Sequence, residues 1–247
     1  MAEHSPAINL LAAQMAERER LRFKWKEDAG DLLDAHELGL SSVCAMIDRF
    51  SGRKFEKQPK GVEGRMSLTA QFLQGVDICE TSISEGLYSQ AAALLKQQLE
   101  TIAAIDEYEN DTRQDGRTPR IGRGVTQGFG PIYGDLNNIA HVSRHDLARQ
   151  LVMVEEGETC APSLTPQYNA EIARFLYGNH VYFIVEVGRQ TARLFEEIFG
   201  ESFSEEEAQW HFLAMTILLR EKVIKLPEEV HERFPKIDFE KMCLKPQ

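Results

Sequence analysis

Apolar residues recur every three or four positions along most of the chain, and strict alternation of apolar and polar residues is nearly absent. This spacing is typical of α-helices that bury one face. The helices that the pattern predicts cover residues 8–23, 32–50, 66–83, 88–108, 132–154, 165–199 and 205–226, followed by a short helical tail within 227–247. The sequence therefore predicts an all-α fold, a single bundle of about seven or eight helices.

Capping residues mark the ends of several predicted helices. Thr165 followed by Pro166 has the order of an N-cap and a first helical residue, and it predicts that the longest helix begins there. Gly200 suits the C-terminal end of that helix. Ser204 and Glu207 have the spacing of a capping box, which predicts a further helix from residue 205.

Three segments interrupt the helical pattern and are predicted to be loops: residues 51–64, 111–130 and 155–162. The loop over 111–130 holds five glycines and four arginines, and we expect it to be flexible. A chain of 247 residues can form one domain around one core, so residues 1–247 are expected to be a single all-α domain.

Charge and cysteine content narrow the class of protein. The chain has 28 Lys and Arg against 39 Asp and Glu, a net charge of −11, which argues against general binding to nucleic acid or to an anionic membrane. The four cysteines, Cys44, Cys79, Cys160 and Cys243, are far apart, as expected for reduced thiols. Charged residues occupy the region where a signal peptide would need an apolar core. We expect a cytoplasmic protein that does not enter a membrane.

One polar constellation stands out within the predicted helix 132–154. Tyr133, Asn137 and His141 are spaced four residues apart, which would align them along one helical stripe, and Asn138 lies beside them. Glu100, on the helix before, is the expected partner of His141, because a carboxylate would fix the imidazole tautomer. His141, Asn137 and Glu100 are candidate catalytic residues, and Tyr133 and Asn138 are candidate ligand-binding residues. A hydrogen-bond network that only fixes helix register would explain the same pattern.

The segment that carries these residues resembles known helical domains. The stretch from Tyr133 to His141, after the helix from Gly86 to Glu100, is similar to uncharacterised bacterial helical domains, which resemble the HEPN (higher eukaryote and prokaryote nucleotide-binding) superfamily. The similarity covers about residues 66–147. Many HEPN ribonucleases carry an arginine, then Asn or Asp, then three residues and a histidine. Asn137 and His141 match the last two elements, but Leu136 stands where the arginine belongs, so the resemblance implies a helical bundle without the nuclease arginine.

The loop over 111–130 offers a second candidate site. It carries four arginines against two aspartates in an otherwise acidic chain. Arg120 and Arg123 are candidate ligand-binding residues, because glycine-spaced arginines can bind a phosphate or RNA close to His141. The alternative is a solvated linker between two helices.

A metal site is a weaker hypothesis. His141 and His145 are four residues apart and could bind one ion from a helical face, with Glu100 as a third ligand. The sequence has no His-Glu-x-x-His, and its one Glu-x-x-His, from Glu228 to His231, lies in the C-terminal tail. We therefore predict no metal and no cofactor.

The sequence as a whole favours a non-enzymatic binding or assembly module of HEPN-like type. Its ligand would be a small anion or RNA, and the aromatic helix over 165–199 would be a surface for self-association. One alternative is an RNA-cleaving HEPN-type protein, a toxin or defence ribonuclease, that uses His141. A weaker alternative is a divalent-metal hydrolase.

Overall fold

One long central helix organises the fold. The structure is a computed structural model that describes residues 5–55, 57–141, 145–156 and 159–224. The helices are α1 (Pro6–Asp28), α2 (Leu32–Phe50), α3 (Val62–Gln74), α4 (Val76–Ser84), α5 (Tyr88–Glu109), α6 (Gly130–Ala140), α7 (His145–Val152), α8 (Ala170–Phe199) and α9 (Glu205–Arg220). A short antiparallel hairpin, β1 (Met153–Glu156) and β2 (Thr159–Pro162), joins α7 to α8. The predicted all-α multi-helix bundle is confirmed.

Helix α8 is buried on most of its sides, because α2, α5 and α9 all pack around it. Its Tyr177 and Phe183 are among the largest fully buried side chains of the described chain. Close packing requires glycine at the crossing with α2, since a Cβ atom added to Gly188 would lie 2.7 Å from Cγ2 of Val43. Burial of aromatic and branched residues around this helix is the main source of stability.

Helices α2 and α9 run antiparallel along one side of the bundle. An ion pair joins Asp31, at the start of α2, to Arg220, at the end of α9. At the other end, the Arg49 guanidinium donates two hydrogen bonds to the Glu207 carboxylate, at 2.9 and 2.7 Å. Glu207 also forms a capping box with Ser204, so this prediction from the sequence is confirmed. One nearly buried carboxylate thus both caps α9 and fixes it to α2.

Two predicted helices are each divided in the structure. The predicted helix over 66–83 is interrupted at Gly75, which ends α3 and begins α4, because glycine has a low helix propensity. The predicted helix over 132–154 ends at Ala140. His141 has φ −101° and ψ 126°, so the chain leaves the helical conformation there before α7 begins. The continuous helical stripe through His141 was therefore a wrong prediction.

The region between α7 and α8 also differs from the prediction. Residues 153–162, mostly predicted as a loop, contain the hairpin, in which Met153 pairs with Pro162. The long helix begins at Ala170 rather than after Thr165, and Asn169 is its N-cap. Thr165 is instead held in a turn in which its backbone N–H donates to the Ser163 hydroxyl at 3.0 Å. Such local side-chain bonds compete with helix formation.

The predicted loop over 111–130 packs against the bundle. Thr126 and Phe129 are buried, and the Phe129 ring stacks on Tyr182 at 5.4 Å between ring centroids. The predicted tail over 227–247, including Cys243, lies outside the described residues; Cys44, Cys79 and Cys160 are free thiols. In the described part of the chain, no helix has the length and apolar character needed to cross a membrane.

Candidate functional site

A polar seam joins α5 to α6 and contains three of the predicted site residues. The Tyr133 hydroxyl donates to Oε1 of Glu100 at 2.7 Å. One turn further along α6, Oδ1 of Asn137 accepts a hydrogen bond from Nζ of Lys96 at 3.1 Å. The same ammonium group lies 5.3 Å from the centroid of the Tyr133 ring. Because both helices advance by four residues in opposite directions, they are antiparallel and in fixed register.

The electrostatics of the seam keep Tyr133 neutral. Its burial, together with the hydrogen bond to the Glu100 carboxylate, raises the pKa of Tyr133 to about 12. A neutral hydroxyl donates to the carboxylate, and the Lys96 ammonium adds a favourable contact with the ring face. The seam therefore stabilises the packing of α5 against α6 in one register.

His141 is not part of this seam. It follows the last residue of α6, its backbone N–H donates to the Asn137 carbonyl oxygen at 3.0 Å, and its side chain is exposed. Glu100 does contact the predicted helix, but its bond in the described structure is to Tyr133 rather than to the expected His141. The prediction that the His141 imidazole pairs with Glu100 is therefore corrected: the His141 side chain is exposed.

The weaker metal hypothesis drew on His141, His145 and Glu100. No group of three or more His, Cys, Asp or Glu residues in the part of the chain that the structure describes has the arrangement to hold a metal ion. The side chain of His145, one of the hypothetical ligands, lies outside the described set, as do Glu228 and His231.

The loop arginines are anchored at the far end of α5. Arg113 forms an ion pair with Glu107 at 3.2 Å, and the backbone N–H of Arg120 donates to Oε1 of the same carboxylate at 2.9 Å. Glu107 is eleven residues from Lys96, which corresponds to about 16 Å along a helix. The side chains of Arg120 and Arg123 are exposed there. The fold therefore places these candidate residues at the opposite end of the seam from Asn137.

Asn138 lies on another side of α6 and lines a cleft between α6, α7 and α8. The cleft has a volume of about 320 Å³, within the range of small-molecule sites. Its lining residues come from α6 (Asp135, Asn138 and Ile139), from α7 (Gln150 and Leu151) and from the N-cap and first turns of α8 (Asn169, Glu171, Ile172 and Phe175). The four apolar members of this set pack against the main core, so the floor of the cleft is held by the bundle.

The polar lining of the cleft is acidic and amide-rich. Asp135 and Glu171 are the charged residues among the described lining, and both are exposed. Asn169 is held in place because its side-chain oxygen accepts the Ile172 N–H at 3.0 Å, as the N-cap of α8. A positively charged or hydrogen-bond-donating ligand therefore fits this lining better than an anion does.

Sequence reasoning did not find this cleft, apart from Asn138. Its lining residues are separated by up to 40 positions, from Asp135 to Phe175, and share no motif. The misplaced start of α8 also hid the role of Asn169. An Asn three residues before Ile172, where a helical apolar pattern begins, was the available signal.

A second polar cluster lies in the core. His36 Nδ1 is 2.7 Å from the Tyr177 hydroxyl, and His180 Nδ1 is 3.0 Å from Oε1 of Gln98. The two imidazole centroids are 5.2 Å apart. Burial lowers the pKa of His36 to about 4. Burial, together with the neighbouring His36, also lowers the pKa of His180 well below its usual value. Both rings are therefore neutral near pH 7 and act as core hydrogen-bonding groups.

Comparison of the chain with protein-family models, with curated proteins and with solved structures found no match. The resemblance to HEPN-type domains therefore depends on the residues quoted above, from Gly86 to Glu100 and from Tyr133 to His141.

Proposed function

We propose that the protein is a non-enzymatic binding module whose ligand occupies the cleft between α6, α7 and α8. The observation that carries the proposal is the composition of that cleft: an apolar floor continuous with the core and a rim that bears Asp135, Glu171 and side-chain amides. This combination suits a small amphipathic cation, with an apolar body on the floor and an amine at the rim. The proposal keeps the binding-module class implied by the HEPN resemblance but changes the sign of the ligand's charge.

The polar seam supports this proposal by positioning one wall of the cleft. Tyr133 and Asn137 fix α6 on α5, and Asp135, Asn138 and Ile139 project from the same short helix into the cleft. Because α6 has only eleven residues, a register shift would displace the whole wall. The seam residues are therefore positioning residues in this proposal.

The alternative use of α8 as a surface for self-association has less support. Of the aromatic side chains that motivated it, Phe183 and Phe195 are buried within the chain's own core. Three others, Phe175, Tyr182 and Phe199, are partly buried against that core. Self-association through residues 165–199 stays a prediction, and RNA cleavage through His141 does so as well.

Calorimetry with phenylethylamine as the probe tests the proposed function, with phenylacetate as the anionic counterpart. We expect saturable binding of the amine and weaker or no binding of the carboxylate. Glu171→Gln removes one rim charge and should weaken amine binding about three- to fivefold, the effect of one exposed ion pair.

Glu206→Gln is the matched control, because Glu206 and Glu171 each lie in the first turn of a long helix. This control should bind the amine as the wild type does. Equal binding of amine and carboxylate, or equal losses in the two variants, would contradict the proposal.

A further inference from the structure

A groove between α2 and α9, on another side of the bundle from the cleft, has the shape of a helix-binding site. Its volume is about 620 Å³. The floor is formed by apolar side chains of both helices, Leu38 of α2 and Leu213 and Ile217 of α9, with Trp210 at one end. The groove extends from Trp210 to Arg220, ten residues or about 15 Å along α9. A docked helix of about three turns would match that length.

The charge of the groove identifies the chemistry of its occupant. Asp31, Asp34 and Glu37 line the α2 side, whereas Arg220 is the basic residue of the described lining and pairs with Asp31. Asp34 and Glu37 are exposed and form no ion pair within the described residues. A groove with an apolar floor and two available carboxylates on one rim complements a helix that is apolar on one face and basic beside it.

The geometry of the groove is fixed before any partner binds. The Arg49–Glu207 bonds and the Asp31–Arg220 pair hold the two helices together at both ends of the groove. Gly39 of α2 brings the helix close to the core, since an added Cβ would lie 3.1 Å from Cγ2 of Val185. A rigid, preformed groove loses little conformational entropy on binding, which favours affinity.

We propose that the α2–α9 groove binds a basic amphipathic helical segment of a partner protein. A second copy of this chain is disfavoured as the occupant, because the chain carries a net charge of −11 and the groove itself is acidic. The partner segment would place apolar residues at positions i, i+3 or i+4, and i+7 on the floor. Its lysines or arginines would meet Asp34 and Glu37.

Intrinsic fluorescence provides a direct test on the full chain. The protein has two tryptophans, of which Trp25 is buried in the core and Trp210 lines the groove. The probe is a synthetic peptide of about fourteen leucines and lysines, with the leucines on one helical face. We expect one-to-one, saturable binding with a blue shift of the Trp210 emission, because the peptide covers the indole ring.

Two double variants distinguish binding of the peptide in the groove from general attraction of a basic peptide to an acidic protein. Asp34→Asn with Glu37→Gln should weaken peptide binding about tenfold, since two exposed ion pairs are lost. Glu63→Gln with Asp77→Asn removes the same charge from the first turns of α3 and α4 and should leave binding unchanged.

Three results would overturn the proposal. The first is no binding of the peptide to the wild-type chain. The proposal would then fail, whether the groove has no affinity for the peptide or residues 225–247 of the chain itself occupy it. The second is an equal loss in both double variants, which would show general attraction to an acidic protein. The third is equal binding of a peptide in which glutamates replace the lysines.

Discussion

The bond between Tyr133 and Glu100 can be measured by a double-mutant cycle. Tyr133→Phe removes the hydroxyl that donates to Glu100 at 2.7 Å. Glu100→Gln replaces the charged acceptor by a neutral amide oxygen, so the cycle measures the charge-dependent part of the bond. A hydrogen bond to a charged group contributes about 1.5–3 kcal/mol when buried. Both side chains are only partly buried, so solvent screening reduces the expected coupling to about 1 kcal/mol.

Urea unfolding of the wild type, the two single variants and the double variant gives this coupling energy directly. A parallel cycle of Glu100→Gln with His141→Ala is the matched control, because His141 was the partner expected from the sequence. We expect about 1 kcal/mol of coupling in the first cycle and additive losses in the second. Additive losses in the Tyr133 cycle, or coupling only in the His141 cycle, would refute the register of α5 and α6 described here.

Three further predictions concern packing, pH and activity. Gly188→Ala should destabilise the protein by about 1–2 kcal/mol in thermal unfolding, because the new Cβ would meet Val43. Gly134→Ala, which has open space around it, should be neutral or stabilising. Destabilisation by both variants would contradict the close packing at Gly188. The Arg49 guanidinium and the backbone of Ser204 outweigh the effect of burial and hold the pKa of Glu207 below its usual value. The wild type should therefore be more stable than Glu207→Gln by about 2–3 kcal/mol near pH 7, and this advantage should decline as the pH falls below about 4; a constant difference would count against it. Wild type and His141→Ala should degrade a labelled single-stranded RNA at the same background rate in a gel assay, and cleavage that only the wild type performs would support the ribonuclease alternative instead.

Sequence periodicity located most helices because burial of one face imposes a spacing of three to four residues. Helix α2 was predicted with its observed limits, 32–50, and the capping box at Ser204 marked the start of α9. Periodicity could not show that the chain leaves the helix at His141, because position 141 continues the spacing of Tyr133 and Asn137. A local spacing cannot reveal a change in backbone conformation.

The candidate site was predicted only in part for a different reason. The sequence favoured His141 as the partner of Glu100, although Tyr133 and Asn137 share the same helical spacing. Only the register between α5 and α6 decides which of the three meets the carboxylate. That register depends on packing across the whole interface. The cleft depends on three elements that meet in space, so only Asn138 among its lining could be proposed from the sequence.

The binding of an amphipathic amine between α6, α7 and α8 is tested most directly by mapping where that amine binds. Two-dimensional amide NMR of the full chain, titrated with phenylethylamine, gives the position and the affinity together. We predict saturable shifts concentrated at Asn138, Ile172 and Phe175 and their neighbours. Shifts that concentrate elsewhere, or equal shifts at these residues with phenylacetate, would contradict the account.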